Sequence, residues 1–266
     1  MSNLKIALLG PPEVYHADQL LAIPDRKALA LLVYLAVEGG AHARQRLTRL
    51  FWPESDMAHG RAALRNTLLH LRHVLGEDTQ PDHRSHLMIT RDSIGLNVAS
   101  SIDLDLHALQ AAWTLIQELP SREAVQGEVR RTLVSQLQHA ADMYRGGFLE
   151  EFTLRDTVDF DNWVGLQRSY WYSRIGQVFA WLSQMQSEEG AIEQAIATVD
   201  RWLSLDPLNE DIYLRLMQLH FSTGNRAAAL KAYETCLAIL MTELHAKPSS
   251  KMVALADFIR SSSPRE

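Results

Sequence analysis

Leu182, Gln184, Gly190, Ala195, Ile196 and Leu203 recur, 34 residues on, as Leu216, Gln218, Gly224, Ala229, Leu230 and Leu237. A constant offset over that many positions requires one structural unit used twice. Apolar residues at helical spacing precede and follow each glycine, so each unit reads as two helices joined at a glycine turn. The alanine permits close approach of the two helices, and the apolar residue beside it packs into the contact. Asp206-Pro207 reads as the end of one helix and the start of the next, because proline is tolerated in a first turn. Two units cannot cover their own ends, so the stretch from Trp163 to Ser183 is expected to complete the stack.

A period of 34 is that of tetratricopeptide units. The pattern is helical from Leu104 almost to the end, with breaks expected at 121–124 and at Gly146-Gly147. The first hundred residues read differently. Leu4 to Leu9 is a short strand stopped by Gly10-Pro11-Pro12, and Glu13 to Ile23 is a second strand with a polar turn near Ala17-Asp18. Asp25 is placed to cap a helix that runs to Gly39-Gly40. A second helix covers Ala43 to Phe51, ending at Trp52-Pro53. A third covers about Ala58 to Leu75, ending at Gly76. Leu87 to Thr90 and Ile94 to Val98 then form a hairpin around Arg91-Asp92-Ser93. The expected fold is mainly α: an N-terminal α/β winged helix over 1–100, an all-α tetratricopeptide-like domain over 101–260, and a tail or linker over 261–266.

Composition narrows the function class. Hydrophobic residues at 47% and charged residues at 22% exclude a disordered or fibrous chain. One cysteine, Cys236, excludes a disulfide framework and a cysteine-built zinc site, and reads as a buried small hydrophobe. No apolar run approaches the ~18 residues of a membrane span, and the start lacks a signal-peptide pattern, so a soluble cytoplasmic protein is expected. No phosphate-binding loop, dinucleotide turn, nucleophile elbow or His-Glu-x-x-His motif occurs, so neither an enzyme nor a cofactor is expected. His70/His73 and His83/His86 are the one metal-like grouping. No carboxylate or thiol completes a site there, and no metal is expected. The carboxylates Glu150-Glu151 and Asp156 to Asp161 read as solvated surface, interleaved as they are with Arg155.

The net charge of -6 conceals a basic segment. Between residues 26 and 75 there are 8 basic and 3 acidic side chains, a balance of +5. A solvated helix face is the plainer reading of charge alone, but the order of elements adds to it. In a winged helix the third helix enters the major groove and the hairpin turn reaches a flanking groove or the backbone. Leu64, Leu68, Leu71 and Leu75 give that helix an apolar back. Arg65, Asn66 and His70 give it a front able to reach base edges, since Arg pairs with guanine and Asn with adenine. Arg72 suits a phosphate, and Arg91 begins the wing turn.

Several segments resemble a known family. Arg26-Lys27-Ala28-Leu29 through Ala36, Arg46-Leu47, Phe51-Trp52-Pro53 and Arg61 to Gly76 are similar to the winged-helix half of SARP-type antibiotic regulatory activators. Tyr144 to Glu150, Phe160 to Trp163, Leu205 to Glu210, Gly224 to Leu230, Glu243-Leu244 and Pro248-Ser249 are similar to the bacterial transcriptional activation domain that follows it. The resemblance implies a sequence-specific DNA-binding activator that contacts RNA polymerase and binds repeated duplex sites as two protomers. The DNA-binding set it implies, together with the helix reading, is Arg26, Lys27, Arg61, Arg65, Asn66, His70, Arg72, His73 and Arg91. His70 and His73 stand where the family often has arginine, which weakens the phosphate grip at neutral pH. Leu69 occupies a position that faces a thymine methyl or a partner protein. The alternative is an interaction adaptor that uses the helical repeats, with the winged helix a scaffold or the front of a larger signalling ATPase.

Overall fold

The computed structural model describes residues 4–77, 85–97, 100–119 and 126–262. The chain opens on β1 (Leu4–Ala7), β2 (Glu13–His16) and β3 (Gln19–Leu20), followed by α1 (Arg26–Glu38), β4 (Ala41–Ala43), α2 (Arg44–Phe51) and α3 (Met57–Val74). The hairpin β5 (Leu87–Ile89) and β6 (Ser93–Leu96) comes next, then β7 (Ile102–Leu104). One sheet has the order β3-β2-β1-β7, with β7 parallel to β1 and the other pairs antiparallel. The second has the order β4-β6-β5, antiparallel throughout. This is a winged helix.

Where the elements differ from expectation, the cause is local geometry or a distant partner. The strand expected over Glu13–Ile23, with its polar turn near Ala17-Asp18, is the hairpin of β2 and β3: Ala17 and Asp18 take φ of 49° and 61° and turn the chain in two residues. The expected second helix begins one residue late, and Ala41–Ala43 before it is a strand on β6. That pairing depends on Gly95: a Cβ there would stand 2.2 Å from the Gly40 carbonyl oxygen. Asp25 caps α1 as read, accepting from the Lys27 and Ala28 backbone N–H groups at 2.9 and 3.2 Å. Asp56 does the same for α3 through Ala58 and His59.

The helices that follow are α4 (Asp105–Glu118), α5 (Gly127–Met143), α6 (Val158–Glu188), α7 (Ile192–Leu205), α8 (Glu210–Ser222) and α9 (Arg226–Ile239). A π-helical turn, Leu240–Leu244, extends α9, and α10 (Ser250–Ser261) closes the described chain. Gly190 and Gly224 have φ of 78° and 77°, so both inter-helix turns need the left-handed conformation that glycine adopts freely. Ala195 and Ala229 are fully buried. Their cluster also holds Val199, Ile212, Met217, Cys236, Met252 and Ile259. Pro207 is not in a helical first turn. The Asn209 side chain caps α8 from Asp211 N–H at 3.1 Å, leaving Pro207 in the turn, where its carbonyl accepts from the Tyr213 hydroxyl. Burial pushes the Cys236 thiol up to about 11. No helix among the described residues is long and apolar enough to cross a membrane.

Two compact units divide the chain, Met1–Gln110 with Met143–Ser173, and Ala111–Asp142 with Arg174–Glu266. The sequence ranges 1–100 and 101–260 divide it differently, because residues 143–173 belong by contact to the first unit. Residues 144–157 are not a simple break at Gly146-Gly147. Phe148 bridges to Leu9 and Gly10, and Arg145 N–H donates to the Leu9 carbonyl at 3.0 Å. Arg168 then ties the segment to α6 by donating to the carbonyls of Phe148 and Leu149 at 3.0 and 2.7 Å.

Asp105 anchors the same end of β1. Its Oδ2 accepts from the N–H groups of Leu8 and Leu9 at 2.7 and 2.8 Å, while its buried Oδ1 has no partner among the described residues. Burial raises its carboxyl to about 6, although the two N–H groups oppose that shift. The folded state therefore holds this proton more tightly than the unfolded chain, whose carboxyl titrates near 3.8. Stability from this group is full below about pH 4 and is lost as pH rises through 6, a loss of roughly 3 kcal/mol. Asp105→Asn is expected to remove that fall. Urea unfolding of both proteins between pH 4 and 7 checks it, and parallel pH profiles would refute it.

Candidate nucleic-acid interface

The back of α3 is Gly60, Leu64, Thr67, Leu68 and Leu71, all buried. Helical spacing then turns Arg61, Arg65, Asn66, Leu69 and His73 outward, and all are exposed. The wing turn stands beside this helix. Thr90 N–H donates to the Ser93 carbonyl at 2.9 Å, and the Thr90 hydroxyl accepts from Ser93 N–H at 3.0 Å. Arg44 fixes that turn to the start of α2: its backbone N–H donates to the Asp92 carbonyl at 3.0 Å and its Nε to the Thr90 carbonyl at 3.1 Å.

These elements enclose a cleft of about 520 Å³ lined by Ala43, Arg44, Gln45, Arg61, Leu64, Arg65, Arg91 and Asp92. The side chains of Arg61, Arg65 and Arg91 make no hydrogen bond or ion pair with other described residues, nor does that of Asn66 beside them. Four guanidinium groups against one carboxylate, that of Asp92, make the cleft a site for a polyanion. A guanidinium offers a planar fork of donors that fits phosphate oxygens or the guanine edge.

The remaining expected contacts go elsewhere. Arg26 donates twice to the Thr153 carbonyl, at 3.1 and 2.7 Å, and lies 4.7 Å from the centre of the Phe152 ring. Lys27 sits 5.3 Å from the Trp52 ring centre, and burial lowers its pKa. Arg72 donates to the Glu77 carbonyl at 3.0 Å and so closes the end of α3. His70 is half-buried, its Nδ1 3.9 Å from an Asp25 carboxylate oxygen. These four side chains have structural partners, so the expectation of a DNA contact falls on Arg61, Arg65, Asn66 and Arg91. Nothing in the sequence singles out Arg44, whose place at the wing depends on the pairing of β4 with β6. His86 is buried, 5.7 Å from the His16 ring, and His83 lies outside the described residues. Among the described residues no group of three or more His, Cys, Asp or Glu could hold a metal ion.

The bacterial transcriptional activator domain family matches residues 104–260. The chain is 23% identical over 253 residues to the regulatory protein AfsR of Streptomyces griseus, a match that covers 95% of this chain and 24% of AfsR. It thus spans about a quarter of that relative's length. Among solved structures, EmbR of Mycobacterium tuberculosis, determined in complex with a low affinity phosphopeptide, has the same fold. It aligns with a TM-score of 0.69 at 19% identity, covering 100% of this chain and 67% of the EmbR chain.

Proposed function

We propose that this chain, which belongs to the bacterial transcriptional activator domain family and is a transcriptional regulator of the SARP type, binds a specific duplex site and activates transcription from it. In this reading α3 lies in the major groove and the Arg91 turn rests on the flanking backbone. Arg44, Arg61 and Arg91 grip phosphates, while Arg65 and Asn66 read base edges. The observation that carries it is the cleft between wing and helix, where three arginines have no side-chain partner among the described residues. The helical repeats supply surface for protein contacts, RNA polymerase first among them, and two protomers occupy repeated half-sites.

Selection from a pool of random duplexes tests the reading, followed by titration over a range of salt. A recovered consensus with steeply salt-dependent affinity is expected. Asn66→Ala then weakens the consensus duplex by about 1–3 kcal/mol and leaves random duplexes almost unaffected. Equal losses on both would remove Asn66 from base reading. Recovery of no consensus, with weak binding insensitive to salt, would favour the interaction adaptor.

A further inference from the structure

Leu69 is 58% exposed at the centre of the outward face of α3. Arg65 and His73 lie one helical turn before and after it, and Asn66 lies on the neighbouring row. A single exposed leucine is ordinary on a protein surface. This one lies among the Arg65 guanidinium, the Asn66 amide and the His73 imidazole, all exposed on the face opposite the buried Leu64, Leu68 and Leu71. A face of that charge suits a polyanion better than an apolar partner surface. The major groove offers such a side chain one apolar group, the C5-methyl of thymine.

We infer that Leu69 reads thymine by packing on its methyl group, close to the base that Arg65 reads. The inference rests on the DNA-binding reading above. One helical turn separates Arg65 from Leu69, about 6 Å along the axis. Base pairs are spaced about 3.4 Å apart, so the thymine lies within about two base pairs of the position Arg65 specifies. Burial of one methyl group changes affinity about fourfold.

The test uses the full chain and the duplex selected from the random pool. Each thymine is replaced in turn by deoxyuridine, which pairs identically but lacks the methyl. One position is expected to weaken binding about fourfold, within two base pairs of the position whose preference Arg65→Ala relaxes. Leu69→Ala is expected to bind the thymine and uracil duplexes equally. Cytosine at that position should bind better once it is 5-methylated, for the wild type only. Because Leu69 is exposed, its truncation leaves the fold intact, which thermal unfolding verifies. A uracil scan without effect, on duplexes that still bind in a salt-dependent way, overturns the inference but spares the DNA reading. Methyl dependence that persists in Leu69→Ala overturns it too. So does a variant with unchanged DNA binding that fails to support transcription at saturating occupancy, since Leu69 would then face a protein. Absence of salt-dependent duplex binding in the wild type sinks the DNA reading itself.

Discussion

The triple variant Arg61→Ala, Arg65→Ala, Arg91→Ala is expected to bind duplex DNA with a salt slope about two units shallower than the wild type's. Each guanidinium that neutralises a phosphate releases about one condensed counterion, so the slope counts such contacts. At about 0.1 M salt, two lost phosphate contacts weaken binding to any duplex roughly 10- to 10²-fold, and the loss of Arg65 costs about 1–3 kcal/mol more on the consensus. The stability of the protein should not change, because the three side chains are exposed and hold no partner among the described residues. The measurement is a set of titrations at several salt concentrations, on consensus and random duplexes, with thermal unfolding as the control. That slope, with relaxed sequence preference, assigns Arg65 to guanine and the other two to phosphates, whereas a slope shallower by three units would place Arg65 on a phosphate as well. An unchanged slope would mean that the cleft does not face DNA.

The features that can be read from the chain and those that cannot separate by range. The leucine stripe of α3 is a local periodicity, so both its buried back and its exposed front follow from spacing. The 34-residue offset likewise survives folding intact, as the positive φ of Gly190 and Gly224 and the buried Ala195 and Ala229 show. The wing turn could be read from Arg91-Asp92 between two apolar runs. β4 could not, because Ala41-His42-Ala43 carries no strand pattern and pairs only through a glycine 54 residues on, where Ala41 meets Gly95. Arg26 shows the same limit from the other side. Its sequence neighbours suggest a cation for DNA, yet its partner is the carbonyl of Thr153, which nothing near it in the chain foretells. Arg44 is the converse case: only the fold brings it to Thr90 and Asp92. Distant pairing decides which arginines of a basic segment remain available, and charge counting cannot see it.

Phe160→Ala is expected to destabilise the first unit by about 3–5 kcal/mol, the usual cost of emptying a buried aromatic site. Phe160 is fully buried, and its ring lies 5.3 Å from Phe51, 5.4 Å from Trp163 and 6.5 Å from Phe152. Trp163 carries the same cluster to Tyr34, at 5.1 Å, and its Nε1 donates to Glu38 at 2.7 Å. Tyr34 and Glu38 belong to α1 and Phe51 to α2, the two helices that lead into α3. The aromatic core under α1 and α2 is thus completed by residues more than a hundred positions downstream. A boundary near residue 100 would make Phe160→Ala harmless to DNA binding, since the winged helix would fold without it. A unit that includes residues 143–173 makes the opposite demand: affinity for the consensus duplex should fall as the folded fraction falls. Urea unfolding gives that fraction, and titrations at the same urea concentrations give the affinity. We expect the two curves to shift together in Phe160→Ala. Full consensus affinity at a urea concentration where tryptophan fluorescence shows the aromatic cluster opened would place the boundary at residue 100 and make 143–173 a dispensable addition.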